Sequence, residues 1–317
     1  MSTMTTTSQE VETISHTYHA KAEALSGHLK LPVEQKILAQ APTLLNSARD
    51  GHTFQRADKF SLEGLITVKS GYTHVSGNQT QKEDKNHGWV TLATSVLEGL
   101  NVINVITADR VVSQISTDHP RMNGHVPHVT FLGTQFENLR ISGYPVEVEF
   151  DYSVCGSKPD DDKPYTQNPG FLERVKQHYD SITGARELPQ DLRDQYHKHL
   201  QVLGEIKRTG NGATASNANP KNGAGARERT DERWGDAEDD APRVRCSLVK
   251  RIKSTIPVAT SVGNVLFIPG FGTVHLATVE VSQNNYFSLT MLQIEMGCVG
   301  TGTVSGGTVA ANGHTRP

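Results

Sequence analysis

The chain has 317 residues and a formal net charge of −3 at pH 7; 35% of its residues are hydrophobic and 6% are aromatic. This length allows one large domain or two ordinary ones with a sizeable core. The nearly balanced charge argues against a general binder of nucleic acids or anionic membranes. No stretch reaches the ~20 apolar residues that a membrane-spanning helix needs, so no transmembrane segment is predicted.

Residues 1–20 are polar and rich in Ser and Thr, which predicts a flexible N-terminal lead. They carry neither the basic start nor the apolar run of a secretory signal, which favours the cytoplasm. Three leucines then indicate a first strand: Leu25, Leu29 and Leu31. Pro32 predicts the start of a short helix, which must end before Pro42. The apolar residues of this helix are Val33, Ile37 and Leu38.

A short phrase recurs along the chain with a period in the high thirties, the size of one supersecondary unit. Its copies are Leu62-Glu63-Gly64-Leu65, Leu97-Glu98-Gly99-Leu100, the altered Phe136-Glu137-Asn138-Leu139 and a fainter Leu25-Ser26-Gly27. The glycine would permit a bulge or bend within a strand. The sequence therefore predicts internal repeats.

Between residues 60 and 152, short segments are either alternating or wholly apolar, and turn residues separate them. The predicted strands are 62–69, 72–76, 89–96, 100–106, 111–115, 129–131, 136–141 and 146–150. Short strands at this spacing predict a mainly β fold, in which repeated units form a sandwich or a solenoid-like stack.

Residues 153–243 interrupt the strand pattern. Asn168-Pro169 and Pro189 each open a segment with apolar residues at helical spacing, which predicts an αα-hairpin inserted within residues 153–208. Residues 209–243 are rich in Gly, Ala, Asn and charged residues, which predicts a disordered loop.

From Val244 the strand pattern returns and continues to Met296. These strands need an apolar partner surface, so residues 21–152 and 244–298 are predicted to form one split β-domain. The Gly- and Thr-rich residues 299–317 predict a flexible C-terminal tail.

Two further segments stand beside the repeated phrases: Val105-Ile106-Thr107-Ala108-Asp109-Arg110-Val111 and Pro269-Gly270-Phe271-Gly272-Thr273-Val274-His275-Leu276. Together these features resemble the choice-of-anchor P group, a set of β-rich bacterial proteins of which many are exported. The resemblance covers roughly residues 55–155 and 244–300 and leaves the helical insertion outside. It implies a β-rich module used at or near a cell surface, and it carries no catalytic role over to any residue.

Three histidines cluster within ten residues: His119, His125 and His128, with Asp118 beside the first. A His-x-x-His spacing in a loop or at a strand edge can converge on a metal, and Zn²⁺ would take three or four such ligands. The alternative is a polar loop that happens to use histidine, because 14 histidines are spread over the chain. These three histidines are the predicted metal site, and no other cofactor is predicted.

Other charged groups are weaker candidates. Glu63, Glu98 and Glu137 recur with the repeat and could form a carboxylate ladder, although a solvent-facing row is the ordinary explanation. Asp160-Asp161-Asp162 lacks the EF-hand spacing and indicates a solvated run. Lys250-Arg251-Ile252-Lys253 is too short a basic patch to indicate nucleic-acid binding.

The three cysteines are Cys155, Cys246 and Cys298. The first two flank the insertion and could clamp its base, which would leave Cys298 free. Three unpaired thiols in a reducing compartment are the other interpretation.

The sequence contains neither a Gly-x-Ser-x-Gly elbow nor a phosphate-binding loop. With the repeats and the low aromatic content, this predicts a non-enzymatic structural or interaction protein. Its β-rich surface would serve self-association, as a homo-oligomer, or the binding of another protein. Two alternatives stay open: a hydrolytic, carbohydrate-active enzyme that uses the recurrent glutamates as acid and base, and a metal-dependent binding module built on residues 118–128.

Overall fold

The computed structural model describes residues 15–31, 34–62, 64–80, 88–121, 126–159, 163–210, 242–297 and 301–316. Within them the chain is mainly β with two α-helices, which confirms the predicted mainly β class. The strands are β1 (Ser15–Leu29), β2 (Gln35–Gln40), β3 (Thr43–Ser47), β4 (Gly51–Ala57), β5 (Phe60–Leu62), β6 (Ile66–Val68), β7 (Ser70–Gln79), β8 (Trp89–Val102), β9 (Ile106–His119), β10 (His128–Thr130), β11 (Gln135–Glu137), β12 (Arg140–Ile141), β13 (Tyr144–Pro145), β14 (Val148–Phe150), β15 (Arg243–Ser247), β16 (Val249–Ile252), β17 (Thr260–Val262), β18 (Val265–Ile268), β19 (Gly272–Ser282), β20 (Phe287–Gly297) and β21 (Thr301–Arg316). The helices are α1 (Pro169–Thr183) and α2 (Gln190–Gly210), preceded by a 3₁₀ turn, Tyr165–Gln167.

The described strands form two large antiparallel sheets and one small one. The first large sheet has the order β17-β18-β19-β20-β21-β1-β2, with β15 paired to β19 and β3 paired to β1. The second has the order β13-β12-β9-β8-β6-β5, with β10 and β11 on β9, β7 on β8, and β4 on β7. The small sheet is the pair β14-β16.

The two large sheets face each other across the core. Strands β1, β20 and β21 of the first contact β7, β8 and β9 of the second. Buried side chains alternate with polar ones along β1, as the two-residue period of a half-buried strand requires. Two hydrogen bonds pair polar groups across this interface: the Ser95 hydroxyl donates to the Glu23 carbonyl at 2.9 Å, and the Thr43 hydroxyl donates to that of Thr73 at 3.0 Å. Such pairing offsets the cost of burying these groups.

The two predicted helices pack on each other and on β15. The side chain of Asn168 caps α1 by accepting hydrogen bonds from the backbone N–H groups of Gly170 and Phe171, at 2.9 and 3.2 Å. Pro169 occupies the first turn, where no intrahelical N–H bond is lost. Among the described residues, no helix is long and apolar enough to cross a membrane.

Three sequence predictions are wrong. The helix predicted after Pro32 is the strand β2, in which Ile37 is buried and pairs with Gly27 of β1. The predicted lead of residues 1–20 overlaps β1, which begins at Ser15. The predicted tail of residues 299–317 contains β21, a central strand paired with both β20 and β1. In each case pairing with a neighbouring strand overrides local composition. The predicted disordered loop lies largely in residues 211–241, outside the described residues.

Three of the four copies of the repeated phrase share one backbone feature. The third residues of three copies have a left-handed conformation, with φ of 72° at Gly64, 62° at Gly99 and 50° at Asn138, whereas Gly27 of the fainter copy does not. The settings differ: Gly64 is in the turn between β5 and β6, Gly99 lies inside β8, and Asn138 follows β11. The described strands show no solenoid-like stack, and internal repetition stays a prediction.

Candidate functional site

The predicted histidine site falls at one end of the second large sheet. His119 is fully buried, and its ring centroid lies 4.8 Å from that of His16, which stacks on Trp89 at 5.0 Å. His128 is exposed and pairs in register with Asp118, the neighbour of His119. Because side chains alternate along a strand, His119 and His128 leave opposite faces of the sheet.

The third predicted ligand, His125, lies outside the described residues. Within those residues, no group of three or more His, Cys, Asp or Glu side chains is placed to hold a metal ion. The three-histidine site therefore stays a prediction, and the structure does not bring His119 and His128 together.

Two of the three recurrent glutamates lie on the outer face of the second sheet. Glu98 of β8 and Glu137 of β11 both pair in register with Arg110 of β9, so the arginine lies between them. The Arg110 guanidinium contacts Glu137 at 3.3 Å and donates to the Tyr72 hydroxyl at 3.1 Å, a bond that raises the pKa of Arg110. Glu63 lies outside the described residues.

The short basic patch converges on one carboxylate. Its three cations reach Glu149 at 2.9 Å from Lys250, 2.8 Å from Arg251 and 3.3 Å from Lys253. Hydrogen bonds from Lys250 and then Arg251 lower the pKa of Glu149 to about 2. One carboxylate faces three cations, so this cluster, called here the cationic cluster, keeps an excess of positive charge. Asp160-Asp161-Asp162 lies outside the described residues.

Lys253 of this cluster also lines an open cleft of about 540 Å³. The other lining residues come from the segments around β11 and β14: Gln135, Phe136, Asn138, Leu139, Pro145, Val146, Glu147, Val148 and Phe150. This volume is within the range of ligand-binding clefts. The cleft therefore brings together an apolar wall, the cation of Lys253 and the exposed carboxylate of Glu147 at the surface.

Two half-buried aromatic rings line the cleft, those of Phe136 and Phe150, and the exposed ring of Tyr152 continues the row beyond it. The ring centroids of Phe136 and Phe150 are 5.8 Å apart, and those of Phe150 and Tyr152 are also 5.8 Å apart. The hydroxyl of Tyr152 donates to the Thr134 carbonyl at 2.8 Å, which fixes the end of the row. Aromatic rings held this way offer a large contact area at little entropic cost.

The cleft lies between two strand edges. Strand β11 pairs with β9, and β14 pairs with β16; among the described strands neither has a partner on its other side. An edge strand directs alternate N–H and C=O groups away from its partner. A hydrogen bond from the Val146 N–H to the Leu139 carbonyl, 2.8 Å long, joins the two walls at one end.

The sequence alone indicated the basic patch of this site, but it did not indicate the cleft or the other residues that form it. The basic patch was visible, whereas Glu149 carried no signal because only the register of β14 with β16 places it among the cations. Phe136 and Phe150 read as ordinary strand residues. Their half-buried positions depend on where β11 and β14 lie in space.

Comparison with known proteins gives one match. A family model described as a domain of unknown function, DUF8256, matches residues 16–282. No curated protein and no solved structure matches the chain. The match extends from β1 through the helical hairpin to the end of β19 and leaves out β20 and β21. It does not bear on the resemblance to the choice-of-anchor P group, which stays a prediction. Because the model covers most of the chain, the protein belongs to the DUF8256 family.

Proposed function

We propose that this chain is a non-enzymatic interaction protein, built on a two-sheet β-sandwich, that binds an extended acidic segment of a partner protein. The segment would add as a strand in the cleft between β11 and β14. The observation that carries the proposal is the cleft itself: two strand edges face it, aromatic rings line it, and the cationic cluster lies at its rim.

Backbone pairing supports an extended ligand. In strand addition the main-chain hydrogen bonds provide affinity, and alternate side chains enter pockets. Every second side chain of such a segment would meet the apolar wall formed by Phe136, Leu139 and Phe150. The remaining side chains would point toward solvent or toward Lys253.

Charge supports an acidic ligand. The side chains of Lys250, Arg251 and Lys253 are 62%, 66% and 48% exposed, whereas that of Glu149 is 22% exposed. The three cations are therefore accessible to a ligand, whereas the Glu149 carboxylate, which neutralises one of their charges, is largely shielded from solvent. Such a surface attracts carboxylates and rejects basic segments, which gives specificity more than raw affinity.

The same geometry favours binding over hydrolysis. A glycoside hydrolase needs two carboxyl groups facing each other across a substrate, about 5–10 Å apart. Arg110 lies in register between Glu98 and Glu137, in the place that a sugar would need. The hydrolytic and metal-dependent alternatives carry no supporting contact among the described residues.

A binding experiment with a charge-matched pair of peptides tests the proposal. The probe is a fluorescein-labelled peptide of about ten residues in which glutamate alternates with valine or phenylalanine; its partner has lysine in place of glutamate. Fluorescence anisotropy is expected to show binding of the acidic peptide only. Affinity should fall as salt rises from about 50 to about 500 mM, because exposed charges are screened.

Lys253→Glu should weaken binding roughly tenfold, about 1.4 kcal/mol, and Lys253→Gln by less. The control is Lys198→Glu, which makes the same charge change on the exposed face of α2 and should leave affinity unchanged. Binding of both peptides alike, binding of neither, or equal effects of the Lys253 and Lys198 variants would refute the proposal. Light scattering of the free protein measures its oligomeric state, which distinguishes peptide binding at the cleft from self-association through another strand edge.

A further inference from the structure

Strand β4 forms one outer edge of the second large sheet. It pairs in register with β7 over all seven of its residues, and among the described strands it has no partner on its other side. The proposed binding cleft adjoins β11, at the opposite edge of the same sheet. Of the described strands that have a single partner, β4 is the longest. Its backbone N–H and C=O groups therefore form the longest open edge in the described part of the chain.

The other long edges in the described part of the chain are guarded. They belong to β2, β3 and β15, the strands of five or six residues that have a single partner. The Tyr179 hydroxyl bonds to the Arg245 backbone at the edge of β15. Pro42, which has no N–H group, stands directly before β3, and a bulge interrupts the pairing of β2 with β1. Such features prevent pairing with other chains, whereas β4 contains no proline, no lysine and no bulge against β7.

The outer face of β4 carries a large exposed ring at its centre. Phe54, the middle residue of the strand, is 54% exposed. Its ring centroid lies 6.0 Å from that of Tyr72 on β7, and its direct partner across the strands is His74. The ring is therefore supported from the side of β7 and open toward the free edge.

Both ends of β4 are held in place before any partner binds. The Asp50 carboxylate, directly before the strand, accepts hydrogen bonds from the Tyr18 hydroxyl at 2.7 Å and from the Gln79 N–H at 3.0 Å. These bonds tie the start of β4 to both large sheets. At the other end the Arg56 guanidinium lies 3.7 Å from the Asp58 carboxylate. An edge that is already ordered loses little conformational entropy when another strand pairs with it.

We propose that β4 is a dimer interface, at which a second copy of this chain adds its own β4 in the antiparallel direction with the two Phe54 residues opposite each other on the two-fold axis. A closed dimer needs such a self-complementary surface. On this axis, small residues face small residues and polar residues face polar residues. The pairs that flank the two Phe54 residues are Thr53 with Gln55, His52 with Arg56 and Gly51 with Ala57.

The side chains of β4 favour a second copy in this register. Aromatic residues that are directly opposite each other stabilise a pair of strands. The two Arg56 guanidiniums come to lie at opposite ends of the interface, about 13 Å apart along the strands. An in-register parallel pairing would instead place them side by side, which is unfavourable for like charges.

The length of the strand sets the expected strength of the dimer. Seven residues span about 23 Å of edge, which makes a small interface, and small interfaces are weak. We expect a reversible dimer with a dissociation constant of roughly 1–100 μM. Because β4 and the cleft occupy opposite edges of the second sheet, this inference is independent of the proposed function.

Sedimentation of the full chain from about 1 to about 300 μM tests the inference. The unmodified chain should show a monomer–dimer equilibrium. Phe54→Glu and Phe54→Lys should each raise the dissociation constant at least tenfold, because each places two like charges opposite each other. An equimolar mixture of the two variants should regain the dimer, since the introduced carboxylate then faces the introduced ammonium group. Only a two-fold axis at this position predicts that recovery.

The control is Leu38→Glu, which introduces the same charge on β2 at a residue that is 67% exposed, and it should leave the dissociation constant unchanged. Amide exchange of the unmodified chain at low and high concentration is a second measurement that needs no variant: β4 should be protected at high concentration and β2 should not. Four results would overturn the inference: a monomer at every concentration, a dimer that Phe54→Glu leaves intact, equal effects of Phe54→Glu and Leu38→Glu, or no recovery in the mixture.

Discussion

At the scale of single residues, the hydroxyl of Tyr179 makes the two backbone hydrogen bonds that a neighbouring strand would otherwise make with Arg245. It donates to the Arg245 carbonyl and accepts from the Arg245 N–H at 3.1 Å. Arg245 lies on β15, which pairs with β19 on one side only among the described strands. An exposed strand edge invites pairing with other chains. One side chain of α1 therefore covers both backbone groups of this edge residue.

Tyr179→Phe should lower the free energy of unfolding by about 2–3 kcal/mol, because it leaves a buried donor and a buried acceptor unsatisfied. Urea unfolding measures the change. The control is Tyr152→Phe, which removes one hydrogen bond from a side chain that is 39% exposed and should cost less than about 1 kcal/mol. Equal losses in the two variants would contradict this role.

A second position that depends on a single residue is Gly77, where the two large sheets meet and no Cβ atom fits. A Cβ atom added to Gly77 of β7 would lie 2.4 Å from Cγ of Tyr18, and the Tyr18 ring is held in place by its hydroxyl, which donates to Asp50 at 2.7 Å. Gly77 is thus a site of close approach between the sheets. Its partner across the strands, Gly51, has no atom nearer than 3.8 Å to such a Cβ.

Gly77→Ala should therefore destabilise the protein by about 2–3 kcal/mol through overpacking. Gly51→Ala, the matched change on the paired strand, should alter stability by less than about 1 kcal/mol. Thermal and urea unfolding of both variants provide the check. A tolerated Gly77 substitution would show that the sheets do not meet as described.

At the scale of elements, one buried and two half-buried histidines lie where the helical hairpin packs on the first sheet. Burial lowers the pKa of His178 and His199 to about 4 and that of His275 to about 3. His275 belongs to β19, and the other two belong to the helices. The groups that face them from the packed elements are Arg245, Glu280, Glu295, Tyr179, Tyr196 and Asn264.

These shifts predict that stability falls as the solution is acidified. The ordinary histidine pKa is 6.5, so between about pH 6.5 and 4 the unfolded chain binds more protons than the folded protein. The free energy of unfolding then decreases with decreasing pH across that window. The total loss should be roughly 3–5 kcal/mol, given 1.36 kcal/mol for each pKa unit and a discount for the partly exposed helix histidines.

Urea unfolding at a series of pH values measures this slope. His199→Gln should reduce it, whereas His197→Gln, which changes an exposed histidine two residues away, should not. Amide exchange at pH 5 should show α1 and α2 opening before β20 and β21. A stability that is flat from pH 7 to pH 5, or equal effects of the two variants, would contradict this account.

The elements also show where sequence reasoning works. Both helices could be predicted, because Asn168-Pro169 is a strong start signal and apolar residues recur at helical spacing. Strand β2 could not, because its six residues suit a helix and only the edge of β1 makes them a strand. The composition of strand β21 predicts a flexible tail. The strand nevertheless pairs with both β20 and β1, and its residues Val304, Val309 and Ala311 are buried.

At the scale of the whole molecule, the mainly β class can be predicted from the alternation of apolar and polar residues in the sequence. The site cannot, because it depends on which strands lie next to each other in the fold. The cleft needs β11 and β14 beside each other, although they belong to different sheets. It also needs the cations of β16, and Lys253 just after it, to gather around Glu149, more than 90 residues away in sequence. No local pattern encodes such distant contacts, so only the basic patch was visible beforehand.

The most direct test of the proposed function is amide hydrogen exchange of the full chain with and without the acidic peptide. Strand addition predicts slower exchange in β11 and β14, the two edges that face the cleft, with little change in β2 and β17 at the outer edges of the first sheet. Lys253→Glu should remove this protection. Unchanged exchange in β11 and β14, or protection confined to other edges, would contradict the proposal that this cleft is the binding site.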